Sequence, residues 1–208
     1  MNDKPDRRQA TDEKVVANVG CGPRDTRRLP GHFAQWRVLR VDIDPTVEPD
    51  IVASAVNLAP IPAASVDAVW TAHCLEHLYA HEVGQAFAEF SRILKPDGFA
   101  CVIVPDLQTT ANYIVADKLH EVIYQSPAGP VTAHDVVFGF GPALAGGRTA
   151  MAHRCGFTPT MLLERLNETT FGEIVIRRRP SLELAAVARK AASQDAAERD
   201  RLLAALEL

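Results

Sequence analysis

The stretch Asn18-Val19-Gly20-Cys21-Gly22-Pro23 constrains the fold of this 208-residue chain more than any other. It follows Val15-Val16-Ala17, an apolar run that reads as a short buried strand. Two glycines one residue apart then force a tight loop. Lacking a Cβ, each glycine lets the backbone turn sharply and come close to a ligand. Taken alone, such a loop is also an ordinary glycine turn, so the segments that follow must separate the two readings.

Arg24 to Gln35 reads as a short helix or turn, and Trp36 to Val41 as a second strand ending in Asp42-Ile43-Asp44-Pro45. An acid at the end of the second strand, about 20 residues past a glycine loop, suits hydrogen bonding to ribose hydroxyls. Aspartate before proline also starts turns. Asp42 is therefore assigned to ribose and Asp44 to the turn. A dinucleotide fingerprint would place a third glycine where this chain has Asp25, and Pro23-Arg24 disturbs the start of a phosphate-binding helix. That pattern disfavours a nicotinamide cofactor. It leaves a ligand with adenosine and ribose but no pyrophosphate.

Val66 to Ala72 reads as a strand with Trp70 on one face. Val83, Phe87, Phe90 and Leu94 recur at helical spacing, Pro96 and Gly98 end that helix, and Phe99 to Val104 is a continuous apolar strand. Alternating strands and helices predict a parallel sheet covered on both faces. The glycine loop, Asp42, His73 and Asp106 then fall at strand carboxyl ends, where open α/β sheets bind ligands. Glu173 to Arg179 and Leu182 to Arg189 read as two further strands joined at Pro180-Ser181. The expected fold class is α/β: a Rossmann-like, mostly parallel sheet with helices on both faces and an antiparallel C-terminal hairpin.

Between Pro105 and Phe157 the pattern loses its regularity. A helix is expected over Leu107 to Tyr124, then a stretch rich in glycine and proline (Pro127, Gly129, Pro130, Gly139, Gly141, Pro142, Gly146, Gly147). So long a stretch reads as a lid or mobile loop that selects the substrate. It carries His134, Asp135, Arg148, His153 and Arg154, each of which also reads as a solvated loop residue. His134, Asp135 and His153 lack diagnostic metal spacing, and no metal is expected. Thr158-Pro159 is a helix start backed by Met161, Leu162 and Leu166.

The formal net charge of −4 gives no global pull toward nucleic acid or anionic membrane, and Arg177-Arg178-Arg179 reads as a solvated strand end. No apolar run approaches a membrane span. Residues 1–13 are expected to be a flexible polar tail without a signal-peptide core, which predicts a cytoplasmic protein. Cys21, Cys74, Cys101 and Cys155 are scattered, so neither a metal site nor disulfides are expected from them. Residues 14–190 are read as a single domain with a substrate-side insertion at about 106–157. Residues 191–208 are read as an alanine-rich helical tail that packs on a partner subunit, leaving a homodimer open.

Asn18-Val19-Gly20-Cys21-Gly22 followed by Val41-Asp42-Ile43-Asp44-Pro45 resembles the class I S-adenosylmethionine-dependent methyltransferases, most nearly the bacterial type 11-like ones. Ala59-Pro60-Ile61-Pro62, Ser65-Val66-Asp67-Ala68-Val69, Leu75-Glu76-His77-Leu78 and Leu94-Lys95-Pro96-Asp97-Gly98 resemble later motifs of that family in order. The terminal hairpin resembles the antiparallel end of its sheet. The resemblance implies S-adenosylmethionine as cofactor, held by Asn18, Gly20, Cys21, Gly22, Asp42, Ile43, Val56 and His73. This chain departs from the family at Asn18 and Ala55, where an acid is common, and at Arg24, where a third glycine is common. Thr71-Ala72-His73-Cys74 stands where amino-group methyltransferases of DNA bases carry an Asn/Asp-Pro-Pro-aromatic motif, and no Pro-Cys pair of the cytosine enzymes is present. A small-molecule oxygen or nitrogen acceptor is therefore expected, with His77, Asp106 and His153 as candidate catalytic residues. A catalytically silent cofactor-binding module and a nicotinamide-dependent oxidoreductase are the alternatives.

Overall fold

The computed structural model describes residues 13–24, 29–193 and 195–207. Most of the expected N-terminal tail, and Asp25, lie outside the described residues. Five parallel strands form the sheet: β1 (Val15–Val19), β2 (Arg37–Asp42), β3 (Ile51–Val52), β4 (Val66–Ala72) and β5 (Leu94–Pro105). With the antiparallel pair β8 (Glu173–Arg179) and β9 (Glu183–Arg189) they make seven strands in the order β3-β2-β1-β4-β5-β9-β8. The Rossmann-like expectation is met. Val19 pairs with Val41 on one side and Thr71 on the other, and Ala72 pairs with Ile103. The glycine loop, Asp42, His73 and Asp106 therefore leave the sheet at one edge.

Side chains alternate across a strand, and the two cores follow from that alternation. Val15, Ala17 and Val19 point to one face, while Val16 points to the other. The first face is covered by α1 (Val83–Ile93) and α5 (Pro159–Asn167). Val83, Phe87, Phe90 and Ile93 of α1 are completely buried there, with Leu162 and Leu166 of α5. Each such side chain contributes roughly 1.5–3 kcal/mol. Thr158 caps α5 by accepting from the Met161 amide at 3.3 Å, with Pro159 in the first turn. The helix α1 stops at Ile93, so Leu94 opens β5 and does not extend the helical face.

The second face is covered differently. Between β1 and β2 the described residues contain only a 3-10 turn, Gly31–Phe33. Phe33 and Trp36 meet Phe99, and Phe33 also meets Trp70, with ring centroids 5.9–6.4 Å apart. This ring cluster fills the space over β4 and β5. Beside it lies the terminal helix α6 (Ala196–Ala205), whose Leu203 is buried with Leu206 against the same core. The tail thus packs on its own sheet. Among the described residues no helix is long and apolar enough to cross a membrane.

The insertion departs from expectation. Helix α2 (Leu107–Val115) ends well short of Tyr124, because Asp117 turns left-handed and the Lys118 amide folds back to Tyr113. Val122-Ile123-Tyr124, β-branched and aromatic, pair instead as strand β6 (Val122–Ser126) with β7 (Gly129–Thr132). Helices α3 (Ala133–Phe138) and α4 (Gly141–Ala145) follow. Thr132 and Asp135 form a reciprocal capping box at the start of α3. Gly139 is required where it sits: its φ is +101°, and a Cβ there would lie 2.2 Å from the Met151 carbonyl oxygen. The expected long irregular loop is a hairpin and two short helices.

Candidate active site

Gly20 and Gly22 adopt φ of +70° and +58° at the end of β1. The Gly20 and Cys21 amides both donate to the Val41 carbonyl, at 2.9 and 3.1 Å, which folds the loop over β2. Asp42 accepts from the Gly22 amide at 2.8 Å with Oδ2 and from the Asp44 amide at 3.0 Å with Oδ1. Its carboxylate thus shapes the loop and the following turn. Asp44 accepts from the Thr46 amide at 2.9 Å, the turn role expected of it. Arg40 is buried and donates to the carbonyls of Gly22 and Glu48, each at 2.6 Å, clamping the loop from below. Asn18 and Cys21 are buried, and burial pushes the Cys21 thiol pKa up, so it packs as an apolar group. Val56 is half-buried against the core.

These residues fit the adenosine end of S-adenosylmethionine. Ile43 is 66% exposed immediately after Asp42, an apolar surface beside a carboxylate and a glycine-lined backbone. The first could take a purine, the second could accept from ribose hydroxyls, and the third leaves room for close approach.

Gly20 also packs directly on the next strand end. A Cβ there would lie 2.6 Å from both Cβ and Sγ of Cys74. Gly20→Ala combines that clash with a left-handed φ. It is expected to destabilise the fold by about 1–3 kcal/mol, read from urea unfolding midpoints. A midpoint equal to the parent's would mean that the loop can move away from Cys74 without cost.

The second half of the site stands at the ends of β4 and β5. His73 has φ +51°, a left-handed conformation uncommon for a residue with a side chain, held by its amide donating to Ile103 at 3.0 Å. Its Nε2 lies 2.8 Å from Glu183 Oε1, and its Nδ1 lies 3.4 Å from Glu76 Oε1. Burial opposes charge on this imidazole, but the bond to Glu183 and the nearby Glu76 outweigh it and raise its pKa to about 9. His73, expected among the cofactor residues, therefore turns its ring to these two carboxylates.

Glu76 sits in the 3-10 turn Leu75–His77 and is 1% exposed. Burial resists its ionisation, yet the imidazolium of His73 holds its pKa well below the usual carboxylate range. The Glu76 carbonyl accepts from the amides of Arg154 and Cys155, at 2.8 and 3.3 Å. The Arg154 guanidinium donates to the His77 carbonyl at 3.2 Å and lies over the Tyr79 ring. The end of the insertion is thereby stitched to the turn after β4. This brings His77 and His153 together, their ring centroids 5.0 Å apart. Burial pushes the His153 pKa down, so its imidazole is neutral at neutral pH. His73, Glu76, His77, Tyr124, His153 and Glu183 line a cavity of about 330 Å³ under the insertion.

Asp106 is in a different position. Its Oδ1 accepts from the Thr109 amide at 3.1 Å, capping α2, and its Oδ2 accepts from Thr109 Oγ1 at 2.6 Å and Arg178 Nε at 2.8 Å. The carboxylate is buried and holds the helix to β8. Asp135 serves the capping box and accepts from the Gly141 amide, and His134 stacks with His120 and Phe138. Asp135 lines the same cavity as His153, but among the described residues neither it nor His134 comes within metal-ligand distance of His153 in one cluster. Sequence reasoning missed Glu76, Glu183 and Tyr124 as site residues. The one available signal was a glutamate inside the apolar run Leu75-Glu76-His77-Leu78.

The sheet order β3-β2-β1-β4-β5-β9-β8 carries a glycine loop at the end of β1 and an acid at the end of β2. Residues 17–102 match the family model described as a methyltransferase domain. Those residues, fewer than half of the chain, are similar to a methyltransferase domain. A SAM-dependent methyltransferase from Archaeoglobus fulgidus is 14% identical with a TM-score of 0.55, covering 86% of this chain and 87% of that one. One from Methanosarcina mazei is 15% identical with a TM-score of 0.55, covering 87% and 94%. A possible exported protein from Bordetella parapertussis is 16% identical with a TM-score of 0.54, covering 86% of this chain, which spans 62% of that chain. At these identities the likeness is one of fold. No curated protein matches the chain.

Proposed function

We propose that the protein moves the methyl group of S-adenosylmethionine to an oxygen or nitrogen of a small molecule held under the insertion at about 106–157. The observation that carries this reading is the His77–His153 pair. It lines a cavity at the same sheet edge as the glycine loop. When bound, the cofactor supplies a methyl group already activated on a positively charged sulfur. The protein's part is then to position two reactants and exclude water. Gly20 to Gly22 and Asp42 hold the adenosine end. The lone pairs of His77 and His153 face the acceptor, and His73 bridged to Glu183 fixes the wall between the two ligands. A cavity of about 330 Å³ suits a small acceptor. The net charge of −4 supports that choice over nucleic acid.

Calorimetric titration with S-adenosylhomocysteine, with NAD as the control, tests the cofactor assignment. Asp42→Ala removes a ribose partner and the clasp on Gly22. It is expected to weaken binding by about 1–3 kcal/mol. Unchanged affinity in a folded variant would remove Asp42 from the site, and tighter binding of NAD would overturn the cofactor. A silent binding module is favoured by one observation, the neutral and buried Asn18 and Ala55 where acids are common. That reading requires cofactor binding without release of its demethylated product against any acceptor in a screen.

A further inference from the structure

We infer that Glu76, His77 and His153 form a binding site for one divalent transition-metal ion, with zinc the ion that best fits the donors. One ligand atom from each of the three lies within 4.8 Å of the other two. The edge of a tetrahedral zinc site is about 3.4 Å, so a small inward rotation of each side chain closes it.

Three features indicate a cation. The first is the carboxylate. Glu76 is 1% exposed and neither of its oxygens has a hydrogen-bond partner. His73 Nδ1, 3.4 Å away, makes an ion pair with Oε1 without hydrogen-bonding geometry, and Oε2 is left with neither. Buried carboxylates are otherwise hydrogen-bonded, paired or bound to metal.

The second is the tautomer of the two histidines. His77 Nδ1 lies 3.2 Å from the Ala152 carbonyl oxygen, and His153 Nδ1 lies 2.9 Å from that of Val136. A carbonyl oxygen can only accept, so each Nδ1 carries the proton. Each Nε2 is left with its lone pair. Metal-binding histidines are held in this way, their second nitrogen anchored to a carbonyl or carboxylate that sets the ring's direction.

The third is the composition of the set. Two imidazoles and one carboxylate are the ligands of zinc sites that keep a position open. All three residues line the 330 Å³ cavity, so the remaining position opens there. That an acceptor heteroatom takes this position rests on the methyl-transfer reading; the metal site itself does not.

The test is a zinc titration of chelator-treated protein by calorimetry, with neither cofactor nor acceptor present. One zinc ion per chain is expected. Glu76→Gln and His153→Gln should each weaken it by more than about tenfold. His120→Ala, which alters the exposed His120–His134 stack, should leave it unchanged. Absence of stoichiometric binding, or binding that only His120→Ala reduces, would overturn the site. The cobalt(II) absorption spectrum of the unsubstituted protein needs no variant. Intense tetrahedral bands are expected, and a weak octahedral spectrum would count against the site even if a variant fails to fold. Failure of methyl transfer in an acceptor screen would leave the titration result standing, and the reverse also holds.

Discussion

Replacing His153 by alanine is expected to lower methyl transfer by about 10²–10⁴-fold, with affinity for S-adenosylhomocysteine nearly unchanged. The separation follows from where the side chain stands. His153 lines the cavity proposed for the acceptor, its Nδ1 bound to the Val136 carbonyl and its ring 5.0 Å from that of His77. The glycine loop and Asp42 lie at other strand ends, their hydrogen bonds running to the Val41 carbonyl and to the Gly22 and Asp44 amides. A neutral imidazole there supplies a lone pair to the acceptor's proton, or to a cation that binds the acceptor. Either use is lost with the ring. Turnover and affinity should be measured on one preparation, with acceptors found by release of the demethylated cofactor. Full turnover in the variant would make His153 a wall residue, and loss of cofactor binding would place it on the wrong side of the site.

Asp106→Ala should have the largest effect on stability. The carboxylate caps α2 through the Thr109 amide and pairs with Arg178 at 2.8 Å. Arg178 is half-exposed, so the charge left behind is largely solvated, and the cost is that of a cap and charged hydrogen bonds, about 2–4 kcal/mol. Burial raises the Asp106 pKa, but Thr109 and Arg178 outweigh it and hold the group below the usual carboxylate value. A lowered folded pKa gives stability that is complete above the unfolded value of about 3.9 and is lost as pH falls through the folded one. The gap between parent and variant should therefore be full at neutral pH and narrow below about pH 4. Urea unfolding at both pH values measures it. An equal gap at both would show that the cost is packing and not charge.

Much of this architecture can be read from local pattern. Val66–Ala72 is a strand in sequence and structure alike, because an apolar run bounded by turn residues has few alternatives. The terminal hairpin is legible for the same reason, with only the start of β9 off by a residue. The insertion is not. Val122-Ile123-Tyr124 continue an apolar pattern that a helix could use, and only pairing with Gly129–Thr132 makes them a strand. The aromatic cluster around Phe33 reads as a mere turn until Phe99 arrives from β5. Half of the candidate site is legible, since glycine loops and strand-end acids carry local signatures. Glu76 is not, because its meaning depends on amides at Arg154 and Cys155 that reach it only in the folded chain. Asp106 was legible as a strand-end acid, but its capping of α2 and its pairing with Arg178 were not.

Gly20 packs on Cys74, and Cys74 lies between the left-handed His73 and the turn that holds Glu76. On the proposed function, a shift of the glycine loop would be passed through Cys74 to both walls of the cavity. Cofactor and acceptor would then be thermodynamically coupled. Whatever factor the cofactor applies to acceptor affinity, the acceptor must apply equally to the cofactor. A loop settled by the first ligand sets the cavity for the second, so ordered addition with cofactor leading is the kinetic scheme that this contact favours.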